Sequence, residues 1–307
     1  MIKKMLPVVL AAVLFALSGC QSRSDENVRE GNGKLKIVTT FYPMYDFAKN
    51  IAGNNASVKI LIPAGVEPHD WEPSTKDLID IQNADVFIYN GASMENWVNK
   101  VLQSINQKNL TVIEASKGLP LADGKEEGDS NVQSLDPHVW LDPALAKKEA
   151  EHIYRGIVKK DPAHKKDYEK NYLAFSKKLD VLDANFKKTA KHAKRKEFVT
   201  QHTAFSYLAK QYGLKQIAVA GLSPDQEPSL KGLEEIANEV QKRHIKTVFF
   251  ETLTSPKVAH TLAKEVHAKT DVLNPLEGLT DKEQKQGLDY IAVMEKNRKA
   301  LEHALNE

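Results

Sequence analysis

Residues 161–194 read DPAHKKDYEKNYLAFSKKLDVLDANFKKTAKHAK, the longest uninterrupted helical pattern in the chain. Asp161 is of a type that caps helices, Pro162 suits the first helical position, and neither Gly nor Pro follows before Lys194. Tyr168, Tyr172, Phe175, Leu179, Leu182 and Phe186 recur at alternating spacings of four and three, so one apolar stripe runs along the helix. At 1.5 Å per residue, about thirty residues make a rod of roughly 45 Å, enough to run the height of two stacked domains. The spacing therefore predicts a stiff strut rather than a flexible linker. The plainer alternative is a surface helix of one domain whose Lys-rich side is solvated.

The same grammar stands on either side of the strut. Short runs rich in Val and Ile at 35–40, 58–62, 85–89 and 111–114 read as strands, with helical patterns at 45–51, 74–83 and 96–106 between them. Strands at 197–200, 216–219, 247–251 and 270–273 follow it, with helices near 204–212, 229–243 and 256–267. Alternation of this kind is the mark of a parallel sheet. The expected fold is α/β: two lobes, 34–160 and 195–307, each a mainly parallel four-stranded sheet with flanking helices, joined by the helix 161–194.

The amino terminus is a targeting segment. Lys3 and Lys4 precede an apolar run from Leu6 to Leu17 that is too short to span a bilayer comfortably, and Leu17-Ser18-Gly19-Cys20 closes it. This stretch resembles a bacterial lipobox, which implies removal of 1–19 and lipidation of Cys20, with a protein held at the cell membrane and facing outward. More than one acyl chain gives stable anchoring, since each buried methylene adds about 0.8 kcal/mol. Polar residues at 20–33 read as a flexible tether.

Composition removes several classes of function. Cys20 is the single cysteine, so disulfides and thiolate metal chemistry are excluded from the exported part. The chain carries 43 Lys and Arg against 41 Asp and Glu, and loss of Lys3 and Lys4 with the leader leaves the charges balanced. There is no electrostatic case for nucleic acid. H-E-x-x-H, G-x-S-x-G and P-loop motifs are all missing.

Three of the ten histidines stand apart. His69 lies in Val66-Glu67-Pro68-His69, His138 in Asp136-Pro137-His138-Val139-Trp140, and His202 in Thr200-Gln201-His202-Thr203-Ala204-Phe205. Loops beyond the carboxyl ends of parallel strands converge on ligands, and His69, His202 and Glu277 each follow a strand. No strand precedes His138, but Asp136-Pro137 and Asp142-Pro143 bracket it with turn formers that fix an extended loop. Neutral imidazole is the commonest nitrogen ligand of borderline metals, and three convergent rings make most of a tetrahedral zinc shell. The remaining histidines, His152, His164, His192, His244, His260, His267 and His303, sit in Lys/Glu-rich helical stretches where a solvated face is the default. Trp71 and Trp140, close to two proposed ligands, are expected to pack the cleft walls.

Further motifs complete a pattern over nearly the whole chain: Val38-Thr39-Thr40-Phe41-Tyr42-Pro43, Glu67-Pro68-His69-Asp70-Trp71-Glu72-Pro73, Asp136-Pro137-His138-Val139-Trp140-Leu141-Asp142-Pro143, Gln201-His202-Thr203-Ala204-Phe205, Gly221-Leu222-Ser223-Pro224 and Asn274-Pro275-Leu276-Glu277-Gly278. In combination they resemble the zinc-binding receptors of bacterial ABC uptake systems, in the family that also holds manganese-binding adhesin-like lipoproteins. The resemblance implies a two-lobed, monomeric, non-enzymatic protein that binds Zn2+ between its lobes and passes it to an ABC permease. It places the ligands on His69, His138, His202 and Glu277, and a supporting acid on Glu251.

Manganese-selective relatives carry a carboxylate at the third position, where this chain has His202. Three imidazoles and one carboxylate suit Zn2+ better than the harder Mn2+, and would also accept Cu2+. The segment 122–134 occupies the place of the His-rich acidic loop of many zinc receptors yet has no histidine. Some relatives also carry an appended zinc-binding domain, for which this chain ends too early. Two readings from other classes remain open. A zinc-dependent hydrolase needs an open metal position and a base such as Glu251, and a surface adhesin needs an exposed apolar or aromatic patch.

Overall fold

The first half of the chain runs β1 (Leu35–Thr39), α1 (Tyr42–Ala52), β2 (Ala56–Ile60), α2 (Thr75–Gln82), β3 (Val86–Tyr89), α3 (Val98–Ser104) and β4 (Thr111–Glu114) in a computed structural model. The structure describes residues 34–124, 135–226 and 228–307. The leader expected over 1–19, Cys20, the tether to residue 33 and most of the segment 122–134 lie outside them. Among the described residues no helix is long and apolar enough to cross a membrane.

Strand order is β2-β1-β3-β4 and every pairing is parallel. Side chains alternate between the two faces, as a pleated strand requires. Ile37, Val86 and Ile88 enter the central core, whereas Val38 and Phe87 join Leu61, Ile81, Trp97, Val98 and Val101 on the other face. Helix α2 starts with a capping box in which Ser74 and Asp77 satisfy each other's backbone donors.

Helices α4 (Pro143–Lys160) and α5 (Lys165–His192) connect the halves. The second half continues with β5 (Glu197–Thr200), α6 (Ser206–Tyr212), β6 (Lys215–Ala218), α7 (Leu230–Lys242), β7 (Thr247–Phe250), α8 (Lys257–Glu265), β8 (Lys269–Val272), α9 (Asp281–Lys285) and α10 (Tyr290–Ala304). Its order, β6-β5-β7-β8, repeats that of the first sheet, again all parallel. Phe198 and Phe249 face the central core, while Val199 and Val248 pack with Ile217, Val240 and Leu262 on the opposite side.

The strut is present as α5, 28 residues long, and packs against α1 and α4 of the first lobe and α6 and α10 of the second. Tyr168, Phe175, Leu179, Leu182 and Phe186 are buried in one core shared by both halves, with Tyr172 half-buried beside them. Each such fully buried apolar side chain contributes roughly 1.5–3 kcal/mol relative to exposure.

The helix begins differently from the sequence expectation. Pro162–His164 form a 3-10 turn, and the Asp161 carboxylate makes no capping bond to the backbone. It accepts instead from the Tyr168 hydroxyl at 2.7 Å and pairs with His164 Nδ1 at 2.7 Å. Strand β2 starts at Ala56, two residues before the apolar run, because pairing with β1 begins at Leu35↔Ala56, although Ala56 is the one buried residue of its five. Helices α4 and α10 contain the Lys/Glu-rich helical stretches read around His152 and His303, but their bounds were not marked by the sequence pattern. Their buried faces include Glu149 and Asn297, polar residues that break the apolar stripe.

Candidate metal centre

Four loops at the carboxyl ends of the strands, or beside them, deliver the four side chains. His69 comes from the loop after β2, and His202 stands two residues beyond β5. Glu277 follows β8, and His138 precedes a 3-10 turn, Val139–Leu141, that leads into α4. His138 and His202 are fully buried, Glu277 is nearly so, and the His69 side chain keeps 10% exposure.

Glu277 Oε1 lies 3.2 Å from Nε2 of each of the three histidines. Nε2 of His202 and Nε2 of His138 are 3.3 Å apart, and all four donor atoms fall within 4.8 Å of one another. An ion bound tetrahedrally at about 2.0–2.1 Å holds its donors about 3.3 Å apart, so the four separations of 3.2 and 3.3 Å match edges of a zinc tetrahedron.

Tautomers strengthen the case. His138 Nδ1 sits 2.8 Å from Asp136 Oδ1, and His202 Nδ1 sits 2.6 Å from Glu251 Oε1. A carboxylate accepts only, so each Nδ1 carries a proton and, in the neutral ring that binds metal, each Nε2 presents a lone pair. Two lone pairs facing at 3.3 Å beside a carboxylate repel unless a proton or a metal ion stands among them. Glu277 Oε2 and Glu251 Oε2 are likewise buried without a hydrogen-bond partner. The donor set fits Zn2+.

Charge in the metal-free centre is balanced by protons. Burial alone would raise the Glu277 carboxyl, but His202 and His69, with the hydrogen bond from His138, hold it well below the usual carboxylate range. Burial would lower His202, yet Glu251 and Glu277 raise it well above an ordinary imidazole. His138 is raised in the same way, its desolvation outweighed by bonds to Asp136 and Glu277.

Each ligand loop has its own tie. The Asp136 and Glu251 carboxylates also accept the backbone N–H of His138 at 3.0 Å and of His202 at 3.1 Å. Glu67 accepts the backbone N–H of His69 at 3.1 and 3.2 Å, and is itself pushed up to about 8 by burial and by the Glu277 charge. The His69 loop is tied to the opposite lobe by Gly65 N–H donating to Leu279 O at 3.0 Å. On the Glu277 loop, Leu276 has φ of 58°, a left-handed conformation costing a branched side chain about 1–2 kcal/mol.

The structure thus gathers all four expected ligands and sets Glu251 behind His202. Sequence reasoning took Asp136 for a turn former and missed that it orients His138, and it gave Glu67 no part. The signal was present: Glu67-Pro68-His69 and Asp136-Pro137-His138 repeat one acid-proline-histidine pattern, in which the acid folds back onto the histidine N–H. Trp71 packs edge-on to Trp97 at 5.5 Å, and Trp140 lies against His138 at 5.2 Å. The other histidines stay away from the centre; His152, for example, pairs with Ala115 O at 2.8 Å. Among the described residues no other group of His, Cys, Asp and Glu has metal-ligand spacing.

Residues 37–304 match the family described as zinc-uptake complex component A, periplasmic (ZnuA). The chain belongs to that family. The high-affinity zinc uptake system protein ZnuA of Bacillus subtilis is 47% identical over 306 residues, 97% of this chain and 96% of that protein. The zinc-binding lipoprotein AdcA of Streptococcus pneumoniae is 47% identical over 289 residues, 92% of this chain but only 58% of AdcA. The crystal structure of the Zn(II)-bound ZnuA-like domain of AdcA covers 90% of this chain with a TM-score of 0.79. The laminin-binding protein Lmb of Streptococcus agalactiae, described as bifunctional with adhesin and metal-transporting activity, is 37% identical with a TM-score of 0.81 over 89% of this chain. ZnuA-type relatives are named for zinc uptake and zinc binding rather than for an enzymatic reaction.

Proposed function

We propose that this protein is an extracytoplasmic high-affinity receptor that captures Zn2+ between its lobes, through His69, His138, His202 and Glu277, and delivers it to an ABC permease for import. The reading rests on one observation: three imidazole Nε2 atoms stand at 3.2 Å from a single carboxylate oxygen. Four protein donors close the shell, leaving no position for an activated water, so the centre suits capture rather than hydrolysis. Binding exchanges protons for metal. The positive charge that protonated His202 and His138 supply beside Glu277 is supplied by the ion instead, while each Nδ1 keeps its proton and donates it to Asp136 or Glu251.

The chain acts as a monomer in two parts, 34–160 and 195–307, about the helix 161–194. Lipid on Cys20 holds it at the outer face of the cell membrane. Metal analysis of protein purified without chelator, joined to competition titration with zinc and manganese, tests the main claim. Zinc at one equivalent, with manganese unable to displace it, is the expected result; absence of zinc binding removes the reading. For the anchor, Cys20→Ala moves the protein from the membrane pellet to the soluble fraction, and a variant that stays in the pellet refutes it.

A further inference from the structure

Trp140 joins the two loops that carry His138 and Glu277. Its indole N–H donates to Pro275 O at 2.8 Å, bridging the first lobe to the second. The side chain is fully buried, tilted against the His138 ring at 5.2 Å on one side and edge-on to Phe41 at 4.9 Å on another. Its own carbonyl accepts from the Tyr290 hydroxyl at 2.5 Å, a second bond between lobes.

The acceptor matters more than the bridge alone. Pro275 O and Leu276 N belong to one peptide plane, and the Leu276 N–H donates to Asn274 Oδ1 at 2.7 Å. Both ends of that plane are therefore pinned. Asn274 is in turn held through its backbone N and O by Asn297, at 2.9 and 2.6 Å. Leu276, at φ 58°, is the residue whose left-handed turn sends the next side chain, Glu277, toward the imidazoles. A leucine does not hold such a conformation unless its surroundings enforce it.

We propose that Trp140 is a positioning residue for Glu277: from the first lobe its indole N–H fixes the Pro275–Leu276 peptide of the second, so the carboxylate faces the three histidines only while the lobes are closed. Separation of the lobes withdraws the indole, frees the peptide to rotate, and takes the one anionic donor away from the ion. Opening and loss of a ligand become one event. This inference rests on the zinc reading above.

The test uses the full chain carrying Zn2+ alone, mixed rapidly with excess chromogenic chelator. Trp140→Phe keeps an aromatic ring without the N–H donor, and is expected to speed zinc dissociation about tenfold, within the range for loss of an orienting partner. In a Glu277→Gln background the same change is expected to alter the rate less than about twofold, because the charge it positions is already gone. A general structural role multiplies the rate equally in both backgrounds, and that outcome, or an unchanged rate in Trp140→Phe, overturns the proposal. Should Trp140→Phe unfold by circular dichroism, benzothienylalanine at position 140 preserves volume and removes only the donor; a wild-type rate there overturns it equally. Failure of the unaltered protein to hold zinc would instead sink the receptor reading. Zinc held normally, with dissociation indifferent to the indole N–H, would sink only this inference.

Discussion

His202 and His69 bind from opposite conditions. The His202 ring is fully covered, its Nδ1 and its backbone N–H both end on Glu251, and its carbonyl accepts from Thr200 Oγ1 and Gln216 Nε2. His69 is tied through its backbone to Glu67, and its ring keeps 10% exposure. The deep ligand is pre-organised before metal arrives, and the outer one is reachable by water. Affinity is thus built at the bottom of the cleft, while access and exit are governed at its rim.

If that contrast holds, the deep position is where substitution costs most. His202→Ala leaves a buried gap that solvent does not readily fill and strands Glu251 without its partner. Zinc affinity is expected to fall by more than the roughly 100-fold upper end for loss of an orienting group, with the far-ultraviolet circular dichroism spectrum unchanged. Competition titration measures it, and wild-type affinity would take His202 out of the shell. Next in size, Glu251→Ala keeps every direct donor but frees the His202 ring to rotate and to change tautomer, for an expected loss of about 10–100-fold. A loss below about twofold would show that packing alone orients the ring.

The same contrast marks how far the sequence could be read. The parallel strands, the strut and all four candidate ligands were legible because strand ends, proline-stiffened histidine peptides and a six-residue apolar stripe are local patterns. What escaped was non-local or polar. Asp136 looks like a turn former until its carboxylate is seen on the His138 ring, and the buried face of α10 hides because its Asn297 serves the backbone of Asn274 rather than the core. The Trp140–Pro275 bond joins residues 135 apart, a distance over which no spacing argument reaches. Helix α5 was legible as a rod, yet its first turn was not, because Asp161 spends its carboxylate on Tyr168 and His164.

At the rim, His69→Ala should be the mild ligand substitution. His138, His202 and Glu277 remain, and two histidines with one glutamate plus a water are a stable zinc arrangement. Water can reach the vacated position because that side of the centre is open. The expected loss is about tenfold, roughly 1.4 kcal/mol, seen mainly as faster release in a chelator-mixing experiment. Equal losses for His69→Ala and His202→Ala would erase the distinction between depth and rim.

The smallest effect is a displacement along the pH axis. His202 lies well above its ordinary value in the metal-free protein, so at neutral pH zinc must displace its proton, and affinity rises with pH until the pH passes that raised value. Stability of the metal-free form runs the other way. A raised imidazole contributes stability that is fully present below about 6.5 and is lost as pH climbs through the folded value. Zinc adds RT ln(1 + [Zn]/Kd) to the bound form, so the gap between zinc-loaded and metal-free melting temperatures should widen as pH rises. In Glu251→Ala the first carboxylate that raises His202 is gone, and the whole affinity profile should shift toward lower pH. A profile that keeps its position in that variant would mean that Glu277, which also raises His202, sets its proton affinity without help from behind the ring.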